Sequence, residues 1–214
     1  MFRVLAVAVL FLLAGCGHKP APVRTGPGGV VIAKQGPFQP NADLYLCPSS
    51  RITNAAMAGD DNRVYDFHPI VVVEGVVMAT VPVNDACITS GFGRRWGRDH
   101  KGLDLQSRPA GLIYAAAPGK VLEAGLVSGF GNQVVIDHGR GVYTRYAHME
   151  YIQPGIKVGS VVGFGAPIGK MGRSGNAQGI HLHYELLTGD YNNPKKAWGL
   201  ITRDILSFPE YKGR

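Results

Sequence analysis

Two clusters of residues that can bind a metal stand far apart in this chain. The first is His100-Lys-Gly-Leu-Asp104, and the second is His181-Leu-His183. A catalytic zinc ion takes about three protein ligands from imidazole nitrogens and carboxylate oxygens, and it leaves the fourth tetrahedral position to water. His100, Asp104 and one histidine of the second cluster meet that requirement. The two clusters together therefore predict a zinc site.

The second cluster lies in a segment with the composition of a β-strand, GIHLHYELL. Residues two apart in a strand project from the same face, so His181 and His183 are expected to point to one side. One of them can then bind the metal while the other contacts the substrate. The alternative arrangement, two histidines four apart on a helix as in HExxH, is absent from the sequence.

Either cluster alone is weak evidence, because most histidines in proteins are ordinary surface or core residues. A further candidate, His148 in Tyr-Ala-His, lies between the two clusters in sequence. The combination favours a metal site over chance.

The segments around these histidines resemble the lysostaphin/LytM-type zinc metallopeptidases, a family of peptidoglycan endopeptidases with the duplicated hybrid motif. The resemblance covers about residues 85–195, and its segments occur in the family's order. They are SGFGRRWGRDHKGLDL (residues 90–105), AAAPGKVLEAG, GNQVVIDHG, YTRYAHM and VGSVVGFGAPIGKMGRSGNAQGIHLHYEL.

The resemblance implies a complete active site. It assigns the zinc ligands to His100, Asp104 and His183, and the catalytic histidines to His148 and His181. Because all five positions hold the expected residue type, it implies a working peptidase and not a degenerate relative that has lost its ligands.

The chemistry of the residues agrees with this assignment. Zinc lowers the pKa of a bound water to near 7 and polarises a carbonyl, and imidazole titrates near neutral pH, so His148 and His181 suit proton transfer and oxyanion stabilisation. Which of the two is the general base stays open at this point. For His138, before a glycine turn, we expect a structural role, and neither His68 nor His18 is favoured as a ligand.

These residues have to be positioned by strands. Short β-branched runs separated by glycine turns recur about every ten residues in the region of the resemblance, which predicts an antiparallel all-β domain. The family's fold, a β-sandwich with an open groove across one sheet, is what the resemblance implies. In the tail of residues 196–214 the alternation is lost, and we expect one or two helices there.

The N-terminus predicts an exported lipoprotein. Residues 4–13 form an apolar run that is too short to span a bilayer but suits a signal peptide, and Leu13-Ala14-Gly15-Cys16 resembles the bacterial lipobox. We therefore expect a signal peptide over residues 1–15 and lipidation of Cys16, which would anchor the protein in the cell envelope. If the host is Gram-negative, Gly17 after the cysteine, in place of an aspartate, is consistent with sorting to the outer membrane, facing the periplasm. Residues 16–40 have the proline- and glycine-rich composition of a linker.

The region between the linker and the peptidase domain, residues 41–84, contains a further strand signal. Residues 70–83 are rich in β-branched side chains around Glu74-Gly75, which predicts two short strands or a hairpin. If Cys16 is lipidated, Cys47 and Cys87 remain as a pair in an oxidising compartment, so we expect a disulfide between them. Whether this N-terminal extension covers the active site and makes the enzyme latent is left open.

The charge of +7 is mildly basic and is compatible with an anionic cell wall. Nucleic acid is not an expected partner, because the basic residues are scattered apart from Arg94, Arg95 and Arg98. Those three arginines, with Trp96, are expected on a loop at the edge of the groove, in contact either with wall glycan or peptide carboxylates or with solvent alone.

The function that the resemblance implies is zinc-dependent hydrolysis of peptide cross-links in bacterial peptidoglycan. The alternatives are a non-catalytic wall-binding activator of a peptidoglycan amidase and a lysis enzyme aimed at another cell. The sequence does not specify which peptide bond is cut, the type of envelope or the oligomeric state.

Overall fold

The structure is a computed structural model that describes residues 36–48, 50, 54, 58–191 and 200–213. The predicted signal peptide, Cys16 and the linker up to residue 35 lie outside the described residues. The predicted all-β antiparallel class is confirmed, since the regular elements of the described ranges are strands and one short 3₁₀ helix. Within those ranges, no helix is long and apolar enough to span a membrane.

The strands follow one another along the chain with short connections. They are β1 (Ile70–Val73), β2 (Val76–Ala79), β3 (Cys87–Ser90), β4 (Gly93–Arg95), β5 (Arg98–His100), β6 (Leu103–Gln106), β7 (Leu112–Tyr114), β8 (Gly119–Val127), β9 (Gly131–Asp137), β10 (Val142–Ile152), β11 (Val161–Val162), β12 (Pro167–Met171), β13 (Leu182–Gly189) and β14 (Leu200–Arg203).

Ten of these strands form one antiparallel sheet. Its main path runs in the order β11-β8-β9-β10-β13-β6-β3, with β12 paired to both β10 and β7, and β14 paired to β13. The remaining four strands form two separate hairpins, β1-β2 and β4-β5. The strands that carry Asp104 and His183, β6 and β13, are therefore direct neighbours near one edge of the sheet.

The two faces of β13 carry different chemistry. Leu182, Tyr184 and Leu186 point into the hydrophobic core, where they are at most 1% exposed. The alternate residues His183 and Glu185 lie on the opposite face and are also buried. Because side chains alternate along a strand, the packing of the apolar residues fixes the direction of the polar ones.

The N-terminal extension is joined to the main sheet at several points. The two strands predicted within residues 70–83 are confirmed as the β1-β2 hairpin, which turns at Glu74 and Gly75. Cys47 and Cys87, the pair expected from the sequence, form a disulfide with their Cα atoms 5.0 Å apart. Leu46 forms a parallel bridge with Ile88 beside this disulfide, so the extension continues the edge of the sheet at β3.

The expectation of helices in the C-terminal tail is wrong for residues 200–203, which form β14. Strand β6 pairs with β13 only from Leu182 to Tyr184. The same edge of β13 from Leu186 to Gly189 therefore pairs with β14. Unpaired backbone groups at a sheet edge favour such an addition. A single 3₁₀ turn follows at Ile205–Ser207, capped by the Asp204 carboxylate, and residues 192–199 lie outside the described part.

One glycine is required where β6 approaches β13. A Cβ atom at Gly102 would collide with the carbonyl oxygen of Tyr184 and would lie 2.9 Å from its carbonyl carbon. Because this obstacle is backbone, it cannot move aside as the end of a flexible side chain can. Gly102 therefore lets the first metal-binding cluster lie directly against the strand that carries the second.

We predict that Gly102→Ala destabilises the protein, because the added methyl group forces β6 away from β13. Overpacking of this kind costs about 1–3 kcal/mol, which urea unfolding followed by circular dichroism would measure. The matched control is Gly163→Ala, since a Cβ atom at Gly163 meets nothing within 4 Å. Equal stabilities of the two variants would contradict the prediction.

Candidate metal centre

Three of the residues singled out in the sequence converge on one point. Nε2 of His100 lies 3.1 Å from Oδ1 of Asp104 and 3.2 Å from Nδ1 of His183, and the last two atoms are 2.9 Å apart. All three side chains are buried. The structure thus brings together the three residues that the sequence proposes as ligands.

The strands account for this convergence. Asp104 on β6 and His183 on β13 are directly opposite one another in the register of the two strands. His100 ends β5 and reaches the same point from the β4-β5 hairpin, where it lies opposite Gly93. Directly opposed residues on antiparallel strands share a face and have closely spaced side chains, which suits a shared ligand.

The outer hydrogen bonds of the two histidines direct their lone pairs inward. His100 donates through Nδ1 to the carbonyl oxygen of Gly91 at 2.6 Å, and His183 donates through Nε2 to the Glu185 carboxylate at 3.1 Å. Since both partners accept, the proton of each neutral ring lies on its outer nitrogen. The inner nitrogens and the Asp104 oxygen then meet as three acceptors, an arrangement that requires a cation.

The electrostatics show the same preference for positive charge. Burial opposes protonation of His183, but its hydrogen bonds to Asp104 and Glu185 outweigh burial and raise its pKa to about 9. Burial likewise opposes ionisation of Asp104, yet the hydrogen bonds from His100 and His183 hold the pKa of this carboxyl well below its usual range. A divalent ion would take the place of the proton between these groups.

The spacing of the three donor atoms fits a small tetrahedral ion. With metal–ligand bonds of about 2.0–2.1 Å, two ligands of a tetrahedral zinc ion are about 3.3 Å apart. The three observed separations of 2.9–3.2 Å approach that value. Two imidazoles and one carboxylate are a donor set typical of catalytic zinc sites, which keep a position for water.

Glu185 was not singled out in the sequence, although it orients a predicted ligand. Its second oxygen accepts from Arg145 Nη1 at 2.6 Å, and the Arg145 guanidinium lies 4.4 Å from the centre of the Phe130 ring. Burial would raise the pKa of Glu185, but His183 and Arg145 lower it, so the carboxylate stays ionised. The sequence could have pointed to Glu185, because it stands two residues after His183 in a strand and therefore projects from the same face as His183.

His148 and His181 stand beside the three converging residues. Their ring centres are 4.8 Å apart, and the His148 ring is 5.9 Å from that of His183. Nε2 of His181 lies 3.6 Å from the Asp104 carboxylate. All five site residues identified from the sequence therefore lie in one cluster.

The backbone at His148 explains how this residue reaches the cluster. His148 has a positive φ of 61°, at a point where the pairing of β10 with β9 shifts between Tyr146 and Met149. A bulge of this kind re-aims a side chain, and a non-glycine residue in this region of backbone space is strained. Strain of this kind persists where the surrounding structure holds it, as it does at many functional sites.

Ser174 holds His148 in this orientation. Its carbonyl oxygen accepts from Nδ1 of His148 at 2.9 Å, and its hydroxyl accepts from the backbone amide of Asn132. The two chain segments cross at Gly131 and Gly175, where a Cβ atom on either residue would collide with the backbone of the other segment. Burial lowers the pKa of His148, which keeps its Nε2 free to accept a proton.

The remaining histidines lie outside this cluster. His138 donates through Nδ1 to the Pro118 carbonyl oxygen at 2.8 Å, and its Nε2 lies at hydrogen-bonding distance, 2.7 Å, from the Thr144 hydroxyl, which gives it a structural position. His68 is not among the converging ligands. His18 lies outside the described residues.

The arginine-rich segment is a hairpin and not the loop expected from the sequence. Arg94 and Arg95 lie on β4 and Arg98 lies on β5, and the chain turns at Trp96 and Gly97. Arg95 Nη1 lies 3.2 Å from Oδ2 of Asp104, so this hairpin reaches the metal centre.

Comparison with known proteins places the cluster within one recognised domain. Residues 98–194 match the model of Peptidase family M23. The matched residues include the three converging ligands and both adjacent histidines.

Two curated relatives and one solved structure illustrate the similarity. The chain is 36% identical over 118 residues to the DD-carboxypeptidase/endopeptidase Mpg of Neisseria meningitidis serogroup B, covering 50% of this chain and 26% of that protein. It is 35% identical over 140 residues to the peptidoglycan DD-endopeptidase ShyB of Vibrio cholerae, covering 62% of this chain and 32% of the relative. A zinc-containing peptidase from Vibrio cholerae superposes with a TM-score of 0.53 at 25% identity, covering 66% of this chain and 46% of the other. The chain therefore spans only about a third or less of the curated relatives' length.

We predict that His183→Ala abolishes tight binding of a divalent metal, whereas His181→Ala retains it. The two residues stand two apart in sequence, but the ligand atoms that converge belong to His183 and not to His181. Metal content after dialysis, measured by atomic emission, distinguishes the variants. Loss of metal from both variants, or from His181→Ala alone, would refute the ligand assignment.

Proposed function

We propose that this chain, whose residues 98–194 match the model of Peptidase family M23, is a zinc-dependent endopeptidase that hydrolyses peptide cross-links of bacterial peptidoglycan. The observation that carries the proposal is the convergence of three ligands beside two further histidines. The substrate is supported by the names of the two curated relatives, one of which is called a peptidoglycan DD-endopeptidase.

His100, Asp104 and His183 would hold the zinc ion. When bound there, zinc would polarise the carbonyl of the scissile peptide bond and lower the pKa of a water molecule. Gly91 and Glu185 keep the ligand nitrogens of His100 and His183 in the tautomers that this role requires. Arg145 keeps Glu185 ionised and in place.

His148 is the proposed general base. Its Nδ1 proton is committed to the Ser174 carbonyl, and burial lowers its pKa, so Nε2 carries a lone pair at neutral pH. His148 accepts a proton from the attacking water and later returns it to the departing amine nitrogen. One proton of the water thus ends on the amine product, and the remaining hydroxyl becomes part of the carboxylic acid product.

His181 is proposed to stabilise the negative charge that develops on the carbonyl oxygen. Its Nδ1 is held by the Gly179 carbonyl at 3.0 Å, which leaves Nε2 on the side of the metal centre. Nε2 also lies 3.6 Å from the Asp104 carboxylate, beside the three ligand atoms. When the ring carries a second proton, Nε2 can donate that proton in a hydrogen bond to the oxyanion.

The proposal is tested with purified protein and intact peptidoglycan. Zinc-loaded protein is expected to release soluble fragments, and mass spectrometry of these fragments identifies the bond that is cut. Removal of the metal with a chelator should stop the release, and added zinc should restore it. A fully zinc-loaded protein that releases nothing would contradict the proposal and favour the wall-binding activator.

We predict that His148→Ala retains zinc but lowers kcat by about 10²–10⁴-fold, the usual contribution of a positioned general base. The assay is release of fragments under saturating substrate, with zinc content measured on the same sample. His68→Ala serves as the control, because His68 is not part of the cluster. Near-normal turnover by His148→Ala would remove this residue from the mechanism.

We also propose that the protein is anchored in the envelope through lipidated Cys16, most simply in the outer membrane facing the periplasm. The support is the sequence: an apolar run over residues 4–13 and the lipobox-like LAGC ending at Cys16. Such an anchor, followed by the proline- and glycine-rich linker, would keep the enzyme near the wall.

We predict that Cys16→Ala abolishes incorporation of a labelled fatty acid and moves the protein from the membrane fraction to the soluble fraction. Labelling during growth, followed by purification and fluorography, measures the first effect. In the control, replacement of both Cys47 and Cys87 by serine should leave the label in place, because those cysteines are joined in the disulfide. Label retained by Cys16→Ala would rule out this anchor.

A further inference from the structure

The β4-β5 hairpin has two cationic side chains on the face that also carries His100. Arg95 lies directly opposite Arg98, and the next pair on the same face is Gly93 with His100. Residues two apart in a strand share a face, so Arg95, Arg98 and His100 point to one side of the hairpin. The metal centre and the two guanidinium groups are therefore on the same side.

This arrangement opposes the stability of the hairpin. Like charges directly opposite one another on antiparallel strands destabilise the pair. The turn adds a second cost, because Trp96 has a positive φ of 46° at a position that favours asparagine or glycine. The hairpin therefore keeps two features that do not serve its own folding, and such features are typical of binding sites.

The two arginines have different surroundings. Arg95 is partly buried, with Nη1 2.6 Å from the Ser90 hydroxyl and 3.2 Å from the second oxygen of Asp104. The Trp96 ring stands 5.5 Å from its guanidinium and is 74% exposed. Arg98 is exposed, and no ion pair within the described residues involves it. Arg95 is thus held in place, while Arg98 is open to a ligand.

We propose that this face of the hairpin, formed by Arg95 and Arg98, binds a free carboxylate of the peptidoglycan stem peptide and so positions the scissile bond at the metal centre. Stem peptides carry free carboxylates close to their cross-links, and a guanidinium binds a carboxylate through paired, charge-assisted hydrogen bonds. The inference rests on the proposed function and adds the chemical group that the site recognises.

Arg98 is the residue to test, because Arg95 also contacts Asp104 and its loss would disturb the metal centre. The substrates are a cross-linked stem-peptide dimer with free carboxylates and the same dimer with those carboxylates amidated. For Arg98→Gln in the full chain we expect KM for the free dimer to rise about two- to fivefold, the range for an exposed ion pair. KM for the amidated dimer and kcat for both should stay unchanged, and Arg98→Lys should recover part of the loss.

Lys157→Gln is the matched control, because it removes one positive charge from an exposed turn beside β11, at the opposite edge of the sheet. It should alter neither KM. Two results would overturn the carboxylate site. In the first, Arg98→Gln raises KM equally for the free and the amidated dimer. In the second, the unsubstituted protein has the same KM for both dimers. If the unsubstituted protein cleaves neither dimer, the proposed function fails for these substrates. The Kd values for the two dimers still decide the site in that case, since equal values would overturn it.

Discussion

The metal centre depends on one constraint, the orientation of three acceptor atoms that are held within 3.2 Å of each other. Acceptors at this distance repel one another unless a cation lies between them. Hydrogen bonds on the outer side of the rings hold the acceptors in place: His100 is bonded to the Gly91 carbonyl, and His183 is bonded to the Glu185 carboxylate. The affinity for a cation is therefore a property of the whole hydrogen-bonded shell and not of the three ligands alone.

The sheet supports this shell by using both faces of the same strands. On one face Tyr146 and Tyr184 pack in the core, with their ring centres 5.3 Å apart. On the other face the neighbouring positions hold the opposed pair Arg145 and Glu185. Since the apolar face fixes the register, a slip of one residue would bury charges in the core and remove His183 from the metal centre.

Spacing in the sequence was enough to predict a metal site with His100, Asp104 and one histidine of the second cluster, because HxxxD and HxH are short local patterns. The choice of His183 over His181 came from the family resemblance. The β1-β2 hairpin was also predictable from a local pattern. The position of β14 was not, because it depends on a stretch of β13 that β6 leaves unpaired, which is a relation between distant segments. The strained backbone of His148 and the contact of Arg145 with Glu185 also arise only when distant strands meet.

The separation of the ligands along the chain has a consequence for the order of folding. Asp104 and His183 are 79 residues apart, and they become neighbours only when β6 pairs with β13. Contacts between such distant residues form slowly, because a long loop has to close before the contact can stabilise it. A metal ion gains its full set of ligands only after this closure. Metal uptake therefore follows the assembly of the sheet, and an incompletely folded chain would hold the ion weakly and exchange it with its surroundings.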